Sequence, residues 1–185
     1  MSAESRPDTI RKWTVDGWEY VLENPWIAVR EENCRTADGM PLGHYYVLEY
    51  PAWVHMVVLD DDNRLLVTRQ YRPGLKVINR EIPCGCAWPQ DRSVEDAARR
   101  ELLEETGYDG RFEPVAAFSP NAATHSNIVH TFLVTQPRRV AEPEDNPHEP
   151  MDFEFLPLPD VRALIDQGEF RQALHVAGVF SALRK

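Results

Sequence analysis

The sequence predicts an α/β (α+β) protein in which strands come first, one charged helix follows, and further strands lead to two terminal helices. Short runs rich in Val, Ile, Leu, Tyr and Trp alternate with Gly, Pro, Asn and Asp turn signals on both sides of residues 94–106. Those residues carry helix start and stop signals. With 185 residues, 43% of them hydrophobic, the chain suits one compact domain with an accessory sheet.

Three strands are predicted ahead of the main fold, and we expect them to form a small antiparallel sheet. They are placed at residues 13–20, 26–31 and 44–49, with turn signals at Asp16-Gly17, Asn24-Pro25 and residues 38–41. The chain is therefore divided into an N-terminal sheet, residues 1–50, and a main domain, residues 51–185.

The main domain is predicted to open with two largely buried strands joined by an acidic hairpin. Residues 54–59 and 65–69 flank the turn Asp60-Asp61-Asp62-Asn63. Further strands are expected at residues 76–82, 115–118, 128–135 and 153–156.

The central helix is bounded by local signals at both ends. Ser93 with Asp96 three residues later is typical of a capping box, and Gly107 supplies the left-handed residue that ends many helices. The helix is therefore predicted from about Val94 to Thr106. Its inward face is expected to consist of Val94, Ala97, Ala98 and Leu102.

Three carboxylates share one side of this helix. Glu101, Glu104 and Glu105 stand at positions i, i+3 and i+4. Like charges at this spacing cost about a few tenths of a kcal/mol each, so their grouping indicates that a cation sits there. Oxygen ligands of this kind suit Mg²⁺ or Mn²⁺ better than zinc. The alternative is a solvated, charge-rich surface helix, which is the commoner explanation for a Glu-Glu pair.

The segment from Arg100 to Tyr108 resembles the second half of the Nudix box, which runs Arg, Glu, apolar, any, Glu, Glu, any, Gly, apolar. The resemblance implies a Nudix fold, with a mixed sheet sandwiched between helices. It also implies that Glu101 and Glu105 are metal ligands, that Glu104 is a further ligand or base, and that Arg100 orients the glutamates.

The first half of the box departs from the family pattern, which requires a glutamate six residues after its glycine and eight residues before the arginine. Counted forward from Gly85, that position falls on Asp91; counted back from Arg100, it falls on Arg92. One residue has been inserted between Cys86 and Asp91. We expect Asp91 only to approximate the missing glutamate and Arg92 to make no metal contact.

Segments outside the box resemble ADP-ribose pyrophosphatases, and the similarity covers roughly residues 10–183. The matching segments are Arg69-Gln70-Tyr71-Arg72-Pro73, Glu81-Ile82-Pro83-Cys84-Gly85 and Gly168-Glu169-Phe170-Arg171. The resemblance implies that the backbone carbonyl of Cys84 adds a metal ligand. Arg72, being always charged and able to donate in a fork, is expected to clamp a phosphate oxygen.

An acidic, proline-broken segment between Arg139 and Arg162 is the second candidate for chemistry. A solvated loop is the simple explanation for most of its carboxylates. In the resembling enzymes, a mobile loop before the last strand supplies one further glutamate. Alignment by Gly168 brings Glu149 to that position, with Glu144 and Glu142 as less favoured candidates. The general base stays open between Glu149, Glu104 and another loop residue.

Composition excludes several classes of protein. A net charge of -10 without a basic stripe argues against polymeric nucleic acid as a partner. No apolar run approaches the roughly 18 residues of a membrane span, and the N-terminus lacks a signal-peptide core, so a cytoplasmic protein is expected. The three cysteines are interpreted as reduced, and a zinc site at Cys84 and Cys86 lacks two nearby ligands.

The N-terminal strands carry Trp13, Trp18 and Trp26, too many large aromatics for a small sheet to bury alone. Core or interface packing is the usual role of such residues. In ADP-ribose pyrophosphatases the corresponding region packs across a dimer and stacks on the adenine. The resemblance therefore implies a homodimer, with Trp18 and Trp26 as candidate contacts to the base.

These observations predict a metal-dependent hydrolase that cleaves the pyrophosphate bond of a nucleoside diphosphate sugar such as ADP-ribose. One alternative is a Nudix pyrophosphatase acting on dinucleotides, sugar nucleotides or coenzyme-like diphosphates. The other is a nucleotide-binding Nudix module that does not hydrolyse its ligand. The intact trio Glu101, Glu104 and Glu105 favours an enzyme, because binding alone would not require it.

Overall fold

The computed structural model describes residues 10–184 of the chain. These residues form two compact units. One consists of residues 10–50 and 121–126, and the other of residues 51–120 and 127–184. Ten strands and three helices occur in the described part. The strands are β1 Thr14–Glu23, β2 Ala28–Arg35, β3 Pro41–Glu49, β4 Trp53–Leu59, β5 Arg64–Arg72, β6 Val77–Glu81, β7 Cys84–Cys86, β8 Tyr108–Phe118, β9 Val129–Arg139 and β10 Met151–Pro157; the helices are α1 Val94–Thr106, α2 Leu158–Asp166 and α3 Ala173–Ala182.

The first unit contains the predicted small antiparallel sheet, in the order β1-β2-β3. The predicted turn at Asp16-Gly17 is wrong, because β1 continues through it. Val15 pairs with Cys34 and Gly17 with Asn33, so Asp16 is an extra residue opposite the ladder. A turn dipeptide inside a strand here produces a β-bulge instead of a reversal.

The second unit contains the predicted mixed sheet, in the order β10-β5-β4-β9-β8, with β6 attached to β5 and β7 attached to β4. The pair β4 and β9 is parallel, and the other pairings are antiparallel. The hairpin between β4 and β5 follows the prediction: Asp60 donates its N–H to the Arg64 carbonyl, and Asn63 adopts a φ of 56°.

Alternation along β4 and β5 gives the sheet two apolar faces. On one face, Val54, Met56 and Val58 pack with Ala98 and Leu102 of α1. The opposite face contains Val57, Leu65 and Val67 of the sheet together with residues of α2 and α3. The predicted sheet sandwiched between helices is therefore confirmed, and α1 is held firmly by its small inner side chains.

The bounds of α1 agree with the prediction at both ends. The Ser93 hydroxyl accepts a hydrogen bond from the Asp96 backbone N–H at 3.0 Å. Gly107 has a φ of 75° and donates its N–H to the Leu103 carbonyl at 2.8 Å. The chain leaves this cap directly into β8 at Tyr108, earlier than the strand predicted at residues 115–118.

Candidate active site

Carboxylates from one side of α1 meet the backbone of the short strand β7. Glu105 accepts the Cys84 N–H at 3.2 Å, and Glu101 accepts the Cys86 N–H at 3.2 Å. Gly85 lies between these donors, and a Cβ added there would overlap the side chain of Glu101. The missing side chain at residue 85 is what lets helix and strand approach so closely.

The environment of Glu105 and Glu101 disfavours ionisation of both together. Burial raises the pKa of Glu105 well above its ordinary value, and the negative charge of Glu101 raises it further. Burial also raises the pKa of Glu101, against hydrogen bonding from Arg100, which lowers it. Two such carboxylates need a positive charge beside them to ionise fully.

Arg100 organises the remaining oxygens of this group. Its Nη1 donates to Glu101 at 2.9 Å and to Glu104 at 3.1 Å. Its other side is held by Asp91, with two hydrogen bonds of 3.0 Å, and by the Cys86 carbonyl at 2.9 Å. Because every edge of the guanidinium is engaged, its orientation is fixed relative to α1.

The loop before β10 closes one side of a cavity of about 350 Å³ above α1. Glu144 is anchored there by donating its N–H to the Glu104 carbonyl at 2.8 Å. Neither lysine nor arginine occurs among the described residues that line this cavity. Its charged lining consists of Glu101, Glu104, Glu105, Glu144, Asp145 and Glu149.

Arg72, at the end of β5, is paired with a fully buried carboxylate. Its Nε donates to Glu81 at 2.7 Å, and its Nη2 bonds the second oxygen of the same carboxylate. The Nη2 group also lies 3.4 Å from the Cys84 sulfur. The Glu81 pairing raises the pKa of Arg72, so the guanidinium is charged at every working pH.

Two buried histidines stand behind this pair. The rings of His55 and His175 lie 4.2 Å apart, and the Ile82 N–H donates to Nδ1 of His175 at 3.2 Å. Burial, with a contribution from the charge of Arg72, lowers the pKa of His175 to about 3. Burial likewise lowers the pKa of His55 well below its ordinary value. Both rings are therefore neutral at pH 7.

Comparison with known proteins identifies the family. The NUDIX domain family matches residues 49–175, and the nucleoside diphosphate sugar hydrolase N-terminal domain family matches residues 13–48. The chain belongs to the Nudix family. Its helix α1 with β7 is therefore the Nudix helix and its preceding strand.

Several relatives are named ADP-ribose pyrophosphatase. The ADP-ribose pyrophosphatase of Bacillus subtilis (strain 168) is 30% identical over 91 residues, which cover 49% of each chain. That of Saccharomyces cerevisiae (strain ATCC 204508 / S288c) is 28% identical over 126 residues, or 63% of this chain and 54% of the relative. This Nudix chain thus spans about half the length of these two relatives.

The fold is shared with the crystal structure of an ADP compounds hydrolase. The TM-score is 0.82 at 22% sequence identity, over 96% of this chain and 95% of the other. At this identity the likeness establishes the Nudix fold alone.

The structure brings together most of the predicted site residues of the Nudix domain. Glu101, Glu104, Glu105 and Glu149 line one cavity, and Arg100 binds two of them. Cys84 contacts Glu105 through its backbone N–H. Of the less favoured loop candidates, Glu144 lines the cavity, whereas Glu142 pairs with Arg139 and is 87% exposed.

Trp18 and Trp26 lie in the N-terminal unit. Trp18 is stacked edge-on to Tyr20 at 5.1 Å and has the Arg30 guanidinium 5.5 Å from its ring. Trp26 is exposed over 68% of its surface. Their contact with a nucleotide base stays a prediction.

Sequence reasoning missed Glu81, His55 and His175. The three come from β6, β4 and α3, which only the fold brings together. One signal was available for Glu81: it stands two residues after Asn79 in β6, so the two polar side chains share one strand face. Both are buried, and Asn79 donates to Glu81 at 2.9 Å.

The donor set of the Nudix cavity fits a hard divalent cation. Its carboxylates supply oxygen ligands only, and burial raises the pKa of Glu101 and of Glu105 despite the nearby arginines, so a further cation would favour their ionised forms. Oxygen ligands of this number suit Mg²⁺ or Mn²⁺. That Glu101, Glu105, Glu149 and the Cys84 backbone hold the ions stays a prediction.

Asp91, the residue that the count from Gly85 places at the box glutamate position, is a partner of Arg100. The inserted residue lengthens the loop, and the shorter Asp91 side chain still makes both hydrogen bonds to the guanidinium. Asp91→Ala should lower kcat/KM by about ten-fold, far less than Glu101→Gln, because Arg100 keeps its hydrogen bonds to Glu101, Glu104 and the Cys86 carbonyl. Arg92→Ala is the matched control, because Arg92 is 88% exposed and pairs only with Asp96 among described residues. Steady-state kinetics at saturating Mg²⁺ would contradict this assignment if Asp91→Ala and Glu101→Gln lost equal activity.

Proposed function

We propose that this protein hydrolyses the pyrophosphate bond of a nucleoside diphosphate sugar such as ADP-ribose, giving a nucleoside monophosphate and a sugar phosphate. The observation that carries the proposal is the cavity lined by Glu101, Glu104, Glu105 and Glu149 without a basic residue among its described lining. A diphosphate would be repelled there unless cations intervened, so the cavity suits a metal-dependent reaction on a phosphate anhydride. The names of the relatives and the match of residues 13–48 to a nucleoside diphosphate sugar hydrolase domain support the substrate class.

Each group of the site has a part in this reaction. A bound Mg²⁺ or Mn²⁺ would be held by Glu101, Glu105, Glu149 and the Cys84 carbonyl, and it would supply positive charge against the phosphates and ease deprotonation of water. Arg100 holds Glu101 and Glu104 in place, and Arg72 is charged beside Cys84 and can donate to a phosphate oxygen.

The bond changes are those of an in-line displacement. Water attacks one phosphorus, the bond from that phosphorus to the bridging oxygen breaks, and the bridging oxygen leaves with the second phosphate. The proton of the water passes to a carboxylate. The proposed acceptors are Glu149, Glu104 and another loop residue: Glu149 would also hold the ion, and Glu104 is engaged by Arg100 at 3.1 Å.

A substrate panel tests this function. Hydrolysis of ADP-ribose creates two phosphate monoesters. A phosphatase releases phosphate from these products but not from intact ADP-ribose. We expect phosphate release with Mg²⁺ or Mn²⁺, none with EDTA, and higher kcat/KM for ADP-ribose than for dinucleotides or coenzyme-like diphosphates. Faster turnover of another compound would reassign the substrate. Binding of ADP-ribose without hydrolysis would indicate the non-catalytic module.

The same proposal includes a homodimer formed through the N-terminal sheet. Trp13, Trp18 and Trp26 are 51%, 56% and 68% exposed, an apolar surface that a three-stranded sheet does not cover by itself. Deleting residues 1–50 should give a monomeric or insoluble domain that has lost its preference for ADP-ribose. Sedimentation of the full chain as a monomer, at concentrations where it hydrolyses ADP-ribose efficiently, would contradict the dimer.

We also place the protein in the cytoplasm. Its three cysteines, Cys34, Cys84 and Cys86, are free thiols, as expected in a reducing compartment. Among residues 10–184, none of the helices has both the length and the apolar character needed to cross a membrane.

A further inference from the structure

Glu81 is a carboxylate with no exposed surface, at the end of β6. A buried charge of this kind is strongly unfavourable unless it is paired and hydrogen-bonded. Arg72 satisfies both of its oxygens, and Asn79 adds a third hydrogen bond at 2.9 Å. The pairing therefore neutralises the charge of Glu81 and also holds the Arg72 guanidinium in one orientation.

The residues around this carboxylate would also suit a transition metal. Glu81, Cys84 and His175 each offer a ligand atom, and these atoms lie within 4.8 Å of one another. The Arg72 guanidinium is already the cation at this position, because it contacts Glu81 and lies 3.4 Å from the Cys84 sulfur.

His175 supports the same conclusion. Its Nδ1 accepts the Ile82 N–H, so the proton of the neutral ring is on Nε2, the atom 3.9 Å from Glu81. A protonated nitrogen cannot bind a metal. The cluster is thus arranged to hold a guanidinium.

Arg72 connects this cluster to the catalytic carboxylates through Cys84. The Cys84 sulfur faces Arg72, while the Cys84 backbone N–H donates to Glu105 at 3.2 Å. The Arg72 side chain keeps 35% of its surface exposed, although Glu81 occupies one edge of its fork. Its exposed edge can therefore donate to an anion beside the Glu105 carboxylate.

We propose that Glu81 is a positioning residue, which holds Arg72 so that the exposed edge of the guanidinium meets the substrate diphosphate beside Glu105. Glu81 itself touches no substrate, since it is fully buried. The inference rests on the proposed function in requiring a diphosphate ligand.

A double-mutant cycle on Glu81 and Arg72 tests this role. In the full chain, Glu81→Gln keeps the shape of the side chain but removes the charge that orients Arg72. Both Glu81→Gln and Arg72→Ala should lower kcat/KM by about ten- to hundred-fold, the range expected for one charge-assisted contact. In the Arg72→Ala background, Glu81→Gln should change kcat/KM by less than about two-fold, because its effect passes through Arg72.

Glu169→Gln is the matched control. Like Glu81, Glu169 pairs with an arginine, in this case Arg80, but Glu169 is 44% exposed. It should leave the kinetics unchanged. Wild-type kinetics in Glu81→Gln, or equal losses from this change with and without Arg72, would overturn the proposal. Stoichiometric zinc in the purified protein that is lost in Cys84→Ser would also overturn it, by making the cluster a metal centre.

Thermal melting provides a readout that needs no turnover. Arg72→Ala leaves Glu81 buried without its cation, so this variant should melt below the double variant, in which the charge is gone. If the shifts in melting temperature of Glu81→Gln and Arg72→Ala simply add in the double variant, the two residues are not coupled. This result would refute the proposal even where a variant folds too poorly for kinetics.

If the wild-type protein hydrolyses another compound of the panel, the kinetic cycle is run on that compound. If it hydrolyses none, the proposed function fails, and calorimetric binding of ADP-ribose replaces kcat/KM in the same cycle.

Discussion

Glu105→Gln should lower kcat by about a thousand-fold or more while leaving the fold intact. Glu105 accepts the Cys84 N–H and lines the carboxylate cavity, where we propose that its charge holds a divalent ion. Burial and the charge of Glu101 both raise the pKa of Glu105. Removing its charge therefore relieves repulsion, and the melting temperature without metal should stay equal or rise slightly.

The comparison requires turnover, metal binding and melting on the same variants. Binding of Mn²⁺, followed by electron paramagnetic resonance, should weaken in Glu105→Gln. Glu95→Gln is the control, because Glu95 lies in the first turn of the same helix and pairs with Arg99 at the surface. Near-normal hydrolysis by Glu105→Gln at saturating Mg²⁺ would show that the ions bind elsewhere.

The Nudix helix was the most predictable part of this molecule, because its limits depend on local chemistry. Ser93 and Gly107 each make a hydrogen bond to a residue within about one turn of the helix. The sequence nearby is therefore enough to predict where the helix begins and ends. The grouping of Glu101, Glu104 and Glu105 follows from helical spacing alone. Most strands were predicted for the same reason, since alternation and turn residues are local features.

The parts that sequence reasoning missed depend on contacts between distant segments. Strand β7 has three residues, too few for a pattern, and exists because Cys84 and Cys86 pair with His55 and Trp53 of β4. The bulge at Asp16 depends on the register of β2, which a turn signal does not encode.

The Arg100 clamp shows the same limit. Counting along the box places either Asp91 or Arg92 at the missing glutamate position. The three-dimensional path of the loop shows which of the two contacts Arg100: Asp91 does so at 3.0 Å, whereas Arg92 is 88% exposed. Similarly, Glu81 and His175 are far apart in sequence, and their neighbourhood follows from the packing of α3 on the sheet.

Gly85→Ala should abolish most activity while preserving the fold, with a loss approaching that of Glu101→Gln. A Cβ at residue 85 would overlap Cγ, Cδ and Oε2 of Glu101. These atoms belong to the end of a flexible side chain, so the cheapest relief is rotation of the carboxylate away from β7. That rotation breaks the hydrogen bond from the Cys86 N–H and removes a metal ligand from the cavity.

Gly74→Ala provides the matched control for this change, because a Cβ added there would meet no described residue within 4 Å apart from the glycine and its two chain neighbours. It should keep wild-type kinetics. Gly85→Ala should need a higher Mg²⁺ concentration for half-maximal rate, and combining it with Glu101→Gln should add little, since both act on one carboxylate. Multiplicative losses in the double variant would mean that Gly85 acts by another route, such as distortion of β7 and of the Cys84 N–H that binds Glu105.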